Sequence, residues 1–128
     1  MRLMLDTHTI LWSVEEPSKV STSAMAAMQD PANDRLLSAA TIWELAIKVG
    51  SGKLSLAKPL DQFLSQHLDG YEMEVLPIER RHSLHVAVLP LHHRDPFDRM
   101  LAAQSLIESL APISADPIFD VYGVTRLW

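Results

Sequence analysis

The stretch His92-His93-Arg94-Asp95-Pro96-Phe97-Asp98-Arg99-Met100-Leu101-Ala102-Ala103-Gln104 opens a helix and puts two carboxylates at its start. Pro96 suits the first helical position, because it has no N–H to leave unpaired and its φ is already helical. Asp95, just before it, is placed to cap the free amides. Asp98, three residues beyond the cap, is a first-turn acid favoured by the helix dipole. Met100, Ala103, Ile107 and Leu110 then recur at helical spacing and predict a buried face. Each acid has an ordinary structural reading, so the stretch gains weight only from what surrounds it.

Downstream, Ala111-Pro112-Ile113-Ser114 reads as a short buried strand, with Asp116 just past its end. Val121 to Trp128 reads as a last strand. Upstream, Glu79 to Val88 is helical, with His82 and His85 on one face at i, i+3. No cysteine or acid motif accompanies that pair, so solvated or core-edge histidines are expected. Glu72 to Pro77 is a strand, placed near an edge by its acids and terminal proline. Pro59 to Leu68 is helical. Gly50-Ser51-Gly52-Lys53 stops the preceding helix and is no phosphate-cradling loop, because Ile47 stands where that motif needs its first glycine.

The helix before that stop follows the strand Arg35–Ser38. Ile42, Leu45, Ala46 and Val49 mark its apolar face, and Thr41 with Glu44 has capping-box spacing. Glu44 is thus expected in the first turn of a helix that follows a strand. Ser21 caps an earlier helix running to Gln29. At the start of the chain Arg2–Leu5 is a strand, Asp6-Thr7-His8-Thr9 ends it, and a helical run begins at Ile10. Asp6 fits a cap and a functional position equally well.

The chain has 128 residues, enough for one domain over 1–128 with a sizeable core. It is 48% hydrophobic and 21% charged, an ordinary globular balance. With no cysteine, disulfides and thiolate ligands are excluded. Neither a signal peptide nor a membrane-spanning apolar run is visible, so a cytoplasmic protein without membrane contact is expected. The net charge of −5 argues against broad nucleic-acid binding through a basic surface. It leaves room for a nucleic-acid enzyme whose negative site is neutralised by metal ions.

Strands alternating with helices predict a parallel sheet covered on both faces, an α/β/α sandwich. All strand C-termini then share one edge, where ligands bind in such sheets. Asp6 and Asp116 follow strands, and Glu44 and Asp98 open helices that begin at that edge. Four carboxylates with no lysine beside them repel one another unless cations intervene. Oxygen ligands without cysteine select Mg²⁺ or Mn²⁺. This is the outfit of a metal-dependent phosphodiester hydrolase. Asp6, Asp98 and Asp116 would hold metal, Glu44 would ligate or orient the attacking water, and Thr7 and Ser114 would hold waters or phosphate oxygens. Arg94, Arg99 and Lys48 are the candidate cations for gripping the substrate.

The chain resembles the PIN-domain ribonucleases, especially the VapC-type toxins of bacterial toxin–antitoxin pairs. The resemblance rests on Leu5-Asp6-Thr7-His8, on Ser38 through Glu44, on His93 through Arg99, and on Ser114-Ala115-Asp116 with Tyr122-Gly123-Val124. It implies a mostly parallel five-stranded sheet between helices and a Mg²⁺/Mn²⁺-dependent endoribonuclease. It also implies a homodimer, RNA as substrate, and inhibition by a cognate antitoxin. The family's acids carry over to Asp6, Glu44, Asp98 and Asp116, and Asp95 is an extra acid, cap or supporting group. Trp12 and Trp43 fit either an antitoxin groove or, more commonly for tryptophan, the core. The rival readings are a receiver-like phosphoacceptor, a non-catalytic metal-binding module, and a metal-dependent phosphatase or DNA-directed nuclease. Against the receiver stands the single acid after the first strand, where such modules carry two.

Overall fold

The computed structural model describes all 128 residues. Four strands form one sheet: β1 (Arg2–Leu5), β2 (Asp34–Ser38), β3 (Glu74–Leu76) and β4 (Ala111–Ile113). Seven α-helices surround it: α1 (Thr7–Glu15), α2 (Thr22–Gln29), α3 (Ala39–Gly50), α4 (Leu60–Gly70), α5 (Arg80–Val86), α6 (Pro96–Glu108) and α7 (Ile118–Val121). The strand order is β3-β2-β1-β4 and every pair is parallel.

The pleat of these strands divides the core. Met4, Leu36 and Leu76 pack with Leu101, Ala102, Phe119 and Tyr122 on one face. Leu3, Leu5 and Leu37 pack with Ile10, Ala24, Met28, Leu45 and Phe63 on the other. Alternate residues of a strand point to opposite faces, so two strand positions in a row feed two different cores. The expected three-layer α/β architecture is what this produces, with β3 at an edge as its acids and proline predicted.

The end of the chain departs from the expected fifth strand. Of the expected strand Val121–Trp128, Val121 closes the short α7, Gly123 turns with φ at +75°, and pairing comes only as one parallel bridge between Ile113 and Leu127. Leu127 N–H donates to Pro112 O (2.8 Å), and Ser114 N–H donates to Leu127 O (3.2 Å). Phe119 and Tyr122 are buried, and a helical turn carries both into the core where an extended segment would send neighbouring side chains to opposite faces.

Helix starts also differ in detail. Helix α1 begins at Thr7 rather than Ile10, directly capped by Asp6. Helix α3 begins at Ala39, capped by Ser38. Thr41 therefore lies inside the helix, the Thr41–Glu44 capping box does not form, and Glu44 sits in the second turn. Helix α6 begins at Pro96 with Asp95 Oδ1 accepting from Phe97 N (2.8 Å) and Asp98 N (3.3 Å), the predicted start. No helix is long and apolar enough to cross a membrane.

Candidate metal centre

Strand β1 leads on to β2 on one side, and β4 returns on its other side. The C-terminal ends of β1 and β4 thus flank the point where strand order reverses, which is where open parallel sheets form a crevice. Asp6 leaves β1 there, and Ser114 and Asp116 leave β4 beside it.

Asp6 is buried and both of its oxygens are engaged. Oδ1 accepts from Thr9 N (2.7 Å), and Oδ2 accepts a short hydrogen bond from the Ser114 hydroxyl. The same Ser114 oxygen accepts from Asp116 N (3.0 Å). One buried hydroxyl therefore ties the acid after β1 to the backbone of the acid after β4. Asp116 Oδ1 in turn accepts from Ile118 N (3.0 Å) and shapes the turn into α7.

Glu44 is also buried. Its Oε1 accepts from the Thr7 hydroxyl (2.7 Å), next along the chain from Asp6. Its Oε2 pairs with Lys48 Nζ at 2.7 Å, one helical turn on. This corrects the expectation that no lysine accompanies the acids. Lys48 is committed to Glu44 and so is not a free cation for substrate. Turning Glu44 inward fixes the rotation of α3: Ala40, Thr41 and Leu45 are buried with it, whereas Ala46, Ile47 and Val49 face out. Trp43 is 59% exposed rather than in the core. Trp12 is half-buried, against Trp128 and under Lys19.

Asp98 stands in a different environment. Burial pushes its carboxyl up to about 6, and the charges of Asp95 and Asp116 push the same way. His93 opposes them, with Nε2 at 3.0 Å from Asp98 Oδ2. His93, Asp95 and Asp98 each bring one ligand atom within 4.8 Å of the others. No three of Asp6, Glu44, Asp98 and Asp116 converge that closely. The four acids are linked instead by Ser114, by Thr7, and by the field between Asp98 and Asp116.

Of the expected substrate-gripping arginines, Arg94 is exposed and its guanidinium is in no ion pair with an acid. Arg99 is not available. It donates to Pro90 O (2.9 Å), Val86 O (2.9 Å), Leu89 O (3.4 Å) and Tyr122 Oη (3.1 Å), so it staples the loop before α6. A planar guanidinium with five donors suits such a cluster of carbonyls. His82 is likewise no core-edge residue. It is fully buried, accepts from Glu79 N at Nδ1 (3.0 Å) and meets Glu108 Oε1 at Nε2 (2.8 Å). That contact holds Glu108 below the usual carboxylate range.

Beside the acids lies an apolar groove of about 200 Å³, lined by Trp43, Ile78, Val86, Phe97 and Met100 among others. Trp43 and Phe97 meet edge to face at 5.3 Å between ring centres. Each immediately precedes a candidate acid, Trp43 before Glu44 in the second turn of α3 and Phe97 before Asp98 in the first turn of α6.

The four acids offer only hard oxygen, with one lysine among them, and burial above all, then the charges of Asp95 and Asp116, raises Asp98. Such a set fits a divalent cation, which relieves the repulsion. The contribution of His93 was not legible from periodicity, because it reaches Asp98 from the irregular loop. Lys48 was legible: its i, i+4 spacing from Glu44 is that of a helical ion pair.

A search of curated proteins by sequence found no match. Among solved structures, VapBC2 from Rickettsia felis bound to a promoter DNA fragment aligns over 100% of this chain and 98% of its own, with a TM-score of 0.70 and 16% identity. DNA-bound VapBC from Salmonella typhimurium aligns over 100% and 97%, at 0.69 and 17%. VapBC-1 from nontypeable Haemophilus influenzae aligns over 99% and 97%, at 0.65 and 20%. At these identities the likeness is one of fold. The sequence itself matches the model of the PIN domain over residues 3–124, from the first strand to the turn after α7. That span takes in all four acids and all of the four strands but Arg2, and the chain belongs to the PIN domain family.

Proposed function

We propose that this protein is a Mg²⁺- or Mn²⁺-dependent endoribonuclease and the toxin of a type II toxin–antitoxin pair. PIN domains are generally metal-dependent nucleases. The observation that carries the reading is the group of carboxylates at the sheet's switch point, where the Ser114 hydroxyl joins Asp6 to the backbone of Asp116, the Thr7 hydroxyl holds Glu44, and Lys48 is the one lysine paired with them. Asp6, Asp98 and Asp116 hold the cation and Glu44 orients water, with Thr7 and Ser114 keeping Glu44 and Asp6 in place. When bound, the ion supplies Lewis acidity and charge neutralisation at a scissile phosphodiester. Arg94, exposed at the mouth of the α6 loop, is the remaining candidate for a phosphate contact.

The partner reading rests on the groove and on the neighbours. The apolar groove beside the acids offers a second chain a place to exclude water from the site. The structural neighbours named above are VapBC complexes. An antitoxin that covers this groove, and a homodimer as the toxin's assembly, complete the proposal.

Incubation of partner-free protein with a mixed RNA panel, under Mg²⁺, Mn²⁺ or EDTA, tests it. Cleavage that needs metal and disappears in Asp98→Asn supports the reading. Metal-independent cleavage, or full activity of Asp98→Asn, overturns it. Cleavage of DNA in preference to RNA redirects the substrate assignment.

A further inference from the structure

His93 lies outside the helix that carries Asp98, yet its Nε2 comes within 3.0 Å of Asp98 Oδ2. The loop that brings it there is held at several points. Arg99, one residue after Asp98, donates to the carbonyls of Val86, Leu89 and Pro90. Tyr122 accepts from the same guanidinium, and the His92 ring packs on the Tyr122 ring at 5.4 Å between centres. Asp95, two residues after His93, is fixed as the α6 cap. The His93–Asp98 contact is thus the product of an anchored loop on both sides.

We propose that His93 is a positioning residue of the candidate metal centre: its Nε2–H fixes Asp98 Oδ2 and leaves Oδ1 as the oxygen offered to a divalent cation. This rests on the metal-dependent reading above. An ionised carboxylate has no proton to give, so the ring nitrogen facing it is the donor. A carboxylate tethered through one oxygen has lost the rotation that exchanges its two oxygens. Outer hydrogen bonds of this kind orient metal-ligating carboxylates. Asp98 needs such a partner more than Asp6 or Glu44 does. Asp6 is held by Thr9 N and Ser114, and Glu44 by Thr7 and Lys48, whereas Asp98 lies among carboxylates with His93 as its hydrogen-bonding neighbour.

Titration of the purified protein with Mn²⁺, reading free ion by electron paramagnetic resonance, tests the assignment. The variants are His93→Ala, His93→Gln and Asp98→Asn, with thermal melts in EDTA to show that each folds. His93→Ala is expected to bind Mn²⁺ about 10–100-fold more weakly than the parent. His93→Gln, which keeps an N–H donor, is expected to recover most of the loss. Two results overturn the proposal while leaving the metal centre standing: parental affinity in His93→Ala when Asp98→Asn has lost binding, or His93→Gln as weak as His93→Ala. Parental affinity in Asp98→Asn removes the metal centre and the proposal together.

Discussion

The Thr7 hydroxyl donates to Glu44 Oε1 at 2.7 Å and so joins the first turn of α1 to the second turn of α3. Both side chains are buried, and the bond spans 37 positions of sequence. Thr7→Val keeps the shape and removes the donor. It is expected to cost about 1–3 kcal/mol, the usual penalty for a buried acceptor left short of a partner. Thr7→Ser should lose much less. Urea denaturation of the three proteins in EDTA measures this, and equal midpoints for parent and Thr7→Val would refute it.

Asp98 gives a pH dependence of opposite sign to that of a salt-bridged acid. Its folded carboxyl is raised from 3.8 to about 6, chiefly by burial. The folded state therefore binds this proton more tightly than the unfolded chain. The stabilisation is complete below pH ~4 and is lost as pH rises through about 6. Asp98→Asn removes the ionisation. In EDTA at pH 7 it should be more stable than the parent by about 1–2 kcal/mol after allowance for solvent screening, the gap closing by pH ~4. Paired melts across that range check the slope.

Arg99 is expected to matter through the loop and not through substrate. Arg99→Met removes donors from three carbonyls and from Tyr122 Oη. A loss of about 2–3 kcal/mol is expected, as for hydrogen bonds to a charged group. Amide exchange should speed up across residues 86–95 ahead of the rest of the chain. Unchanged exchange there would remove the staple as an explanation.

His82 anchors α5 to α6 by its contacts with Glu79 N and Glu108. His82→Ala leaves a cavity and an unpaired N–H, and is expected to cost about 2–4 kcal/mol. Since the cluster lies on α5 and at the far end of α6 from Asp98, Mn²⁺ affinity of the folded fraction should not change. A large affinity loss would show coupling along α6.

Much of this was legible in the sequence because it follows from local chemistry. Asp95-Pro96 specifies a helix start by itself, and Ser21 does the same for α2. The alternation of short apolar runs with amphipathic stretches predicts the parallel sheet that the structure has. What failed was decided at longer range. Thr41 and Glu44 have perfect capping-box spacing, but Ser38 caps α3 first and the burial of Glu44 against Thr7 sets the helix's rotation. Leu127 pairs with β4 through one bridge only, because residues 118–121 turn helical to bury Phe119 and Tyr122. Arg99 looked like a phosphate ligand because nothing in its neighbours reveals three carbonyls brought back by the preceding loop.

The Ser114 hydroxyl that holds Asp6 crosses 108 positions of sequence, and β4 pairs with β1 rather than with its neighbour in the chain. Contacts of such separation form late, because the loop they close must first exist. On the ribosome, β1, β2 and α3 are all made before either Ser114 or Asp116 has been added. Asp6 stays without its hydroxyl, and the crevice without its second wall, until β4 and Ser114 have been made. A chain without β4 therefore lacks both the hydroxyl that holds Asp6 and one wall of the crevice.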